Sequence, residues 1–436
     1  VQAMFDTPGA MARNGSQASG WDRAFSAAIL GLWAAVTIWL RWNAWAEDLS
    51  AIYIAGRLWQ DGQADLIYAA PPGFFGGPPP EWQSAREALG IADRASFPYV
   101  YPPLWAALTA PLAKAVSAQD FANAATLIQV PLLAFCVALA GRIARPARMP
   151  FWVWTLLGVA ILSLSIDIFL AIWHNQPSIL VAFLVLLAFE RLQAGRPILA
   201  GAMLALAAAI KLTPAIFVLI FLMDRQWRAI ASFALFGTAL ALASIALAGW
   251  PLHQVFLEQL GTVSRAGLIH TVNVSVRSLA LAIHALAEAT PSLDLSQRII
   301  VIEDVPAWIG PASSITLTAL AALLMIATAQ SDSCARRFLA LFGLSILVPL
   351  FGPLGWMHYY IIPALLIPAL PAIAPWRATF LVVAAWAFGA SHILHALDLP
   401  AIAYVALRCA LWLAVFAVLI MAARARRQGA RQQGLR

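Results

Sequence analysis

Charge is what this sequence has least of: Asp, Glu, Lys and Arg together make up 11% of 436 residues, against 62% apolar. With a mean hydropathy of +0.81, that balance excludes a soluble globular chain and leaves a polytopic membrane protein. Cysteine is scarce too. Cys136, Cys334 and Cys409 have no paired spacing and two of them sit in apolar runs, so neither a disulfide framework nor a zinc site is supported. Also missing are H-E-x-x-H, G-x-S-x-G, a phosphate-binding loop and a dinucleotide fingerprint, which disfavours intramembrane proteolysis and nucleotide-driven pumping. The net charge of +7 would suggest nucleic acid in a soluble protein. Here the arginines lie in short loops between apolar runs and read as topology signals, so no nucleic-acid partner is expected.

What is present begins with a polar, Gly/Ser-containing segment over 1–20, expected to be a flexible cytoplasmic N-terminus, and an apolar run over 24–40. The run is longer and richer in Trp than a signal-peptide core of roughly 7–15 residues, so a retained anchor is preferred, although Ala44-Trp45-Ala46 mimics a cleavage site. Next comes a stretch that organises the chain. Asp48 stands at the exit of the first span, Tyr53 and Arg57 lie one helical turn apart on an amphipathic segment, Asp61-Gly62 marks a turn, and Tyr68 is an aromatic anchor. It opens a Pro- and Gly-rich first extracytoplasmic loop, 42–103, whose Trp and Tyr content is expected to hold it on the membrane interface.

Run lengths and arginines then set the topology. The apolar piece 104–116 is shorter than the roughly 20 residues a span needs and is expected to be half-inserted or surface-lying. Spans are expected at about 121–142, 150–171, 177–193, 229–249, 306–329, 337–351, 358–373, 377–392 and 399–421. Between 197 and 223 the run is broken by Lys211-Leu212-Thr213-Pro214. One continuous helix there would be about 40 Å long with a lysine near its middle. Two short helices meeting at Lys211 instead return Arg225 and Arg228 to the inside. The expected fold is an all-α bundle of about twelve transmembrane helices with extracytoplasmic juxtamembrane helices. It forms one domain over 21–423, with a second extracytoplasmic segment over 250–305 and a basic cytoplasmic tail over 424–436.

That topology gathers the polar motifs on one side: Asp48, Tyr101-Pro102-Pro103, His174-Asn175-Gln176, Lys211-Leu212-Thr213-Pro214, Asn273-Val274-Ser275-Val276-Arg277, and Gly352 through Tyr359. One carboxylate with two or three cations and several amides at a membrane face suits transfer of a group carried on a lipid phosphate. Lys211 as a point charge and Arg277 as a bidentate fork are the expected phosphate ligands. His358 would add a hydrogen bond or a proton, and Asp48, ionised at neutral pH, would be the general base of a direct displacement with inversion. Glu47, adjacent on a helix, would point elsewhere. The bland alternatives are a snorkelling Lys211, an Arg277 paired with Asp294 or lipid, and a satisfied interface histidine at 358. A secondary transporter of a small polar or sugar-like solute is the rival function, since broken helices also build its binding sites.

In their order and spacing, these motifs resemble the GT-C polyprenyl-phosphate-dependent glycosyltransferases, in particular the glycosyltransferase family 87 type that includes mycobacterial phosphatidylinositol-mannoside mannosyltransferases. The similarity runs over about residues 22–422. It implies an inverting hexosyltransferase of glycolipid and cell-envelope biosynthesis, with mannose the family-based expectation. A polyprenyl-phosphate sugar would be the donor, a lipid-linked or glycan molecule the acceptor, and the site would face outward from a multi-pass bacterial-type inner membrane. By position, Asp48 would match the catalytic aspartate, and Lys211, Arg277 and His358 the donor-phosphate and active-site residues. Tyr53, Tyr101, His174, Asn175, Gln176, Asn273 and Tyr359 would contact substrate. The sequence departs in having His174 where a glycine often precedes Asn-Gln, and Met357-His358-Tyr359 where two histidines often occur. It lacks a D-x-D pair in the first loop, which argues against an obligatory metal; no other cofactor is expected.

Overall fold

A computed structural model of the chain describes residues 19–71, 74, 77–265, 267–288, 299–302, 304–397 and 399–434; the N-terminal segment 1–18 and Asp294 lie outside them. Among the described residues the secondary structure is helical apart from two short strands, β1 (Gly267–His270) and β2 (Ile299–Ile302), paired antiparallel with Gly267 opposite Ile302.

The first span, α1 (Gly20–Arg41), begins where Ser19 Oγ accepts the Asp22 N–H at 3.1 Å. The Asp22 carboxylate in turn accepts the N–H groups of Phe151 (2.9 Å) and Trp152 (2.7 Å), so an anion satisfies the free donors at the start of the helix Phe151–Leu164. Next come α2 (Glu47–Gln60), in the first loop, and α3 (Pro103–Ala115), which follows that loop. The aromatic residues of this loop do not all face an interface as the sequence suggests. Trp82, Tyr99, Tyr101 and Tyr68 are buried in a small core of their own with Leu58 and Ile67, while Trp42 stays exposed. The polar tips of the buried rings find partners, as Trp82 Nε1 donates to Leu66 O at 2.8 Å and Tyr68 OH to Tyr101 O at 2.7 Å.

The bundle continues with α4 (Ala118–Ala144), α5 (Phe151–Leu164), α6 (Ile166–Trp173), α7 (Ser178–Gln193), α8 (Pro197–Ile210), the helical run α9 (Thr213–Met223) and α10 (Trp227–Ala248). After α11 (Trp250–Arg265) and α12 (Val276–Ala287) it closes with α13 (Ile309–Thr328), α14 (Ser333–Phe351), the run α15 (Met357–Ala372), α16 (Trp376–Gly389) and α17 (Ala401–Gly434). The main core gathers side chains of α4, α7, α8, α14, α15 and α17. Helices α10 and α13, with Leu235, Leu242, Ile315 and Ile326 exposed, present apolar surface that only a lipid environment leaves uncovered.

Six of the described helices are long and apolar enough to cross a membrane: α1, α4, α10, α13, α14 and Ala401–Arg426 of α17. The pair α6 and α7, bent by 117°, makes a seventh if it counts as one. The other runs are shorter than their apolar stretches because polar or proline-bearing breaks divide them. The stretch 150–171, expected as one span, breaks at Ser165, where Ser165 forms an antiparallel bridge with Ser391 and the Ile166 N–H bonds Ala390 O at 2.8 Å. The break at Lys211 is where the sequence places it. There α8 ends, Lys211 is extended (φ −139°, ψ 134°), and α9 turns back. The return is visible in Gly201, early in α8, where a Cβ would lie 2.2 Å from the carbonyl oxygen of Ala229, just past the end of α9.

Candidate active site

Six helix ends and loops meet around Lys211. From the first loop, Asp48 sits in the opening turn of α2, where a carboxylate suits the free N–H groups and the helix dipole. The second contribution is the sharp turn between α6 and α7. Asn175 there has φ +49°, a left-handed conformation that asparagine tolerates better than most residues. Four hydrogen bonds hold it: Asn175 Nδ2 donates to Ala122 O (3.0 Å) and Thr126 Oγ1 (2.9 Å), and Gln129 Nε2 donates to Asn175 O (3.0 Å) and Oδ1 (2.7 Å). The turn delivers Gln176 between the charged groups. Its Nε2 donates to Asp48 Oδ2, and its Oε1 accepts from Lys211 Nζ and from Tyr101 OH, each at 3.4 Å.

Lys211 lies in the short link between α8 and α9, outside both. Its Nζ donates to Ser178 Oγ at 2.7 Å and stands 4.6 Å from the ring centre of Tyr359 and 5.5 Å from that of Tyr101. Burial pushes this ammonium down to about 7, against the upward pull of Asp48. Burial also raises the Asp48 carboxyl above its ordinary range, opposed by His174, Gln176 and Lys211. Glu47 does not share the site. It faces His174 Nδ1 at 3.3 Å, and its carboxyl is lowered, chiefly by that bond.

The third contribution is the Gly-Pro loop before α15, which Asn273 holds in place. Asn273 Oδ1 accepts the Gly355 N–H (2.8 Å) and its Nδ2 donates to Leu268 O (2.9 Å); Val274 N–H bonds Gly355 O (2.7 Å) and Met357 N–H bonds Val272 O (3.0 Å). A side chain at Gly355 would put Cβ 2.3 Å from Val274 O, so only glycine permits this approach. The loop then carries His358 inward. Its ring lies 4.8 Å from that of Tyr359 and stacks beside Trp356, and its buried Nε2 has no partner among the described residues.

Together these groups line one part of a cavity of about 230 Å³, with Asp48, Tyr101, His174, Gln176, Lys211, His358 and Tyr359 as its polar side and Pro98, Val100, Leu170, Leu268, Val272 and Met357 completing the wall. Four other residues expected to meet substrate line neither this cavity nor the groove described below. Tyr53 spends its hydroxyl on Val116 O (2.8 Å), Asn175 and Asn273 spend their amides on the turns just described, and Arg277 is buried on α12 beside Gly310. Phe97 and His270, which no sequence motif marks, and Trp356 also line the cavity. His270 Nδ1 accepts the Val272 N–H at 3.0 Å, which leaves the proton of a neutral ring on Nε2. A lone histidine in an apolar stretch gives no signal. Trp356 lay inside a motif already singled out.

Beside the polar cavity runs a second, apolar groove of about 410 Å³, walled by Val181, Val185, Phe217, Leu317, Val348 and Pro349 among others. The two share Lys211, His358 and Tyr359. The site thus joins a chamber that holds the charged and polar groups to a more apolar channel across one lysine.

The family model for glycosyltransferase family 87 matches residues 99–353, more than half of the chain. The chain belongs to that family. It is a multi-pass membrane glycosyltransferase, as the resemblance implied. Comparison with curated proteins yields no match. The family 87 match takes in Tyr101, His174, Gln176 and Lys211. Asp48 precedes it, and His358 and Tyr359 follow it by a few residues; these three join the site through geometry.

Proposed function

We propose that this glycosyltransferase moves a hexose, mannose by the family resemblance, from a polyprenyl-phosphate sugar to a lipid-linked or glycan acceptor, with inversion. The observation that carries the reading is the shared wall of the two cavities. A donor with one phosphate, a sugar on one side and a long apolar chain on the other fits a polar chamber and an apolar channel that meet at a cation. In this reading the phosphate sits at Lys211, the prenyl chain lies along Val181, Val185 and Phe217, and the sugar enters the chamber among Tyr101, Tyr359 and His358.

The acceptor hydroxyl then attacks the anomeric carbon from the Asp48 side. The new C–O bond forms as the bond to the phosphate oxygen breaks, the electron pair leaves on the phosphate, and the hydroxyl proton passes to the Asp48 carboxylate. Lys211 meets the charge that grows on the departing phosphate. Gln176 ties base to cation and holds their separation. Arg277, expected from sequence as a second phosphate ligand, has no part in this account because it is absent from the cavity wall.

The reading also places the chamber at the extracytoplasmic end of a bundle of about twelve crossings in a bacterial-type inner membrane, with the shorter helices α5, α8, α9, α15 and α16 crossing as broken or tilted elements. The test is incubation of purified protein with a panel of radiolabelled polyprenyl-phosphate sugars and total membrane lipids. Label should pass to a lipid or glycan product, and Lys211→Ala should weaken donor binding by roughly tenfold or more, as one charge-assisted hydrogen bond of about 1.5–3 kcal/mol is lost. Free sugar should not compete. Saturable uptake of free sugar into vesicles, abolished by the same substitution, would instead make the protein a transporter.

A further inference from the structure

The opposite end of the bundle carries a third cavity. Helix α8 is 14 residues long, so its start lies about 21 Å from Lys211 along the helix axis. There an open groove of about 470 Å³ runs between the beginnings of α8 and α10, lined by Arg196, Ile198, Leu199, Ala202, Arg228 and Phe236. Both guanidinium groups are exposed, and among the described residues neither has an acidic partner. The acids at this end are otherwise engaged. Glu190 pairs with Arg142 and Arg191, and Asp224 with Arg336 and Arg337. Two cations are therefore left over at one rim.

The apolar walls follow the cations in a fixed order. Ile198 and Phe236 are exposed, as is Trp227 beside Arg228, at the level where tryptophans favour the boundary between headgroups and hydrocarbon. Phe236 is eight residues beyond Arg228 on α10, about 12 Å further along the axis. The groove is a built feature, because α8 and α10 are clamped at its side. Gly201 admits the Ala229 carbonyl, and Ser232 Oγ donates to Ile198 O at 2.7 Å.

We propose that this groove is a binding site for an anionic glycerophospholipid, its phosphate between Arg196 and Arg228 and an acyl chain along Ile198, Leu199, Ala202 and Phe236. Two positive groups with no carboxylate between them select a negative headgroup over a zwitterionic one. The apolar floor selects an amphiphile over a free anion. The site is separate from the polar cavity and does not depend on which donor that cavity takes.

The test uses the full-length protein in mild detergent, titrated with phosphatidylglycerol or phosphatidylcholine of the same acyl chains, with bound lipid counted by native mass spectrometry. Phosphatidylglycerol should be retained well above phosphatidylcholine. Arg196→Gln with Arg228→Gln should lower that retention on the order of twentyfold, at about fivefold per charge, whereas Arg196→Lys with Arg228→Lys should keep most of it. Equal retention of the two lipids by the unsubstituted protein, or unchanged phosphatidylglycerol retention in the glutamine pair, would overturn the assignment. Displacement of the lipid by an equal concentration of inorganic phosphate would overturn it as well, reducing the groove to an anion site. If the glutamine pair does not fold, Phe236→Gln decides, since it leaves both charges in place. That protein should lose retention of phosphatidylglycerol, and no loss would sink the proposal.

Discussion

Lys211 and Asp48 are two opposite charges linked through one amide, and their protonation sets the pH range over which the proposed transfer can run. Asp48 must be ionised to accept a proton. Burial raises its carboxyl, so activity should fall on the acid side at a pH above the ordinary carboxylate value of about 3.9. Lys211 must be charged to hold a phosphate. With its ammonium down at about 7, it is charged below that pH and neutral above it, so donor capture by the empty site should weaken as pH rises through about 7. In kcat/KM this gives a bell, while the alkaline limb of kcat should lie higher because a bound phosphate favours the charged lysine. Lys211→Arg tests the assignment, since guanidinium stays protonated throughout. Its alkaline limb in kcat/KM should vanish, and an unmoved limb would assign that ionisation elsewhere. Asp48→Asn, which keeps shape but cannot take the proton, should lower turnover by roughly 10²–10⁴-fold with donor binding near normal, and Glu47→Gln should cost much less. Turnover intact in Asp48→Asn would send the search for a base to His358, whose Nε2 lies in the same cavity without a partner among the described residues. At this scale the sequence was legible where a polar residue interrupts an apolar run, as Lys211 does. It was illegible where an amide serves the fold, because Asn175 and Asn273 look like ligands until their hydrogen bonds are seen.

Helices α6 and α17 show the same limit at the next scale. Asp167 on α6 and Arg408 on α17 are both buried and lie 241 residues apart, and the guanidinium holds both carboxylate oxygens, at 2.6 and 2.7 Å. Each residue is a lone charge in an apolar run. Nothing local says that they meet. Arg408 also donates to Gly389 O at 3.0 Å, so the pair ties α6, α16 and α17 together at the start of α6. Breaking such a pair by removing one partner strands the other charge, and Asp167→Asn is expected to cost about 3–5 kcal/mol of stability. Replacing both, as in Asp167→Leu with Arg408→Leu, should recover a substantial part of that loss. Denaturant midpoints of the two proteins in detergent check this, and a double substitution no better than the single one would show that the ion pair is more than compensated charge. The Asn175 turn gives a sharper functional contrast. Asn175→Gly keeps the left-handed backbone but loses the side-chain bonds to Ala122 O and Thr126 Oγ1, so it should destabilise by about 1–3 kcal/mol and lower kcat by letting Gln176 drift from Asp48. If kcat holds while stability falls, the turn is a structural feature alone.

For the whole molecule, composition alone established the membrane class, and run length fixed where most helices lie. It took 150–171 as one uninterrupted span because length in sequence does not reveal a break such as Ser165, whereas the 117° bend after Trp173 falls between two spans it kept apart. Arginine placement was the more durable signal. The pairs Arg142–Glu190, Arg336–Asp224 and Arg337–Asp224 gather at the end where Arg196 and Arg228 lie, and α8 separates that end from Lys211. Positive residues mark the cytoplasmic side of short loops, so this end should face inward and the polar cavity outward. A cysteine scan decides it in a background with Cys334 replaced by Ser, since Cys136 and Cys409 are buried. The first loop is sampled at Ser84, exposed on the short helix Gln83–Ala88, and the opposite end at Ala147, between α4 and α5. In intact cells an impermeant maleimide should label Ser84→Cys and leave Ala147→Cys untouched until the membrane is opened. Labelling of Ala147→Cys from outside would invert the bundle and turn the Asp48–Lys211 chamber toward the cytoplasm. Labelling of both would mean that the first loop and the α4–α5 loop share a side, and that α3 crosses the membrane as well as α4.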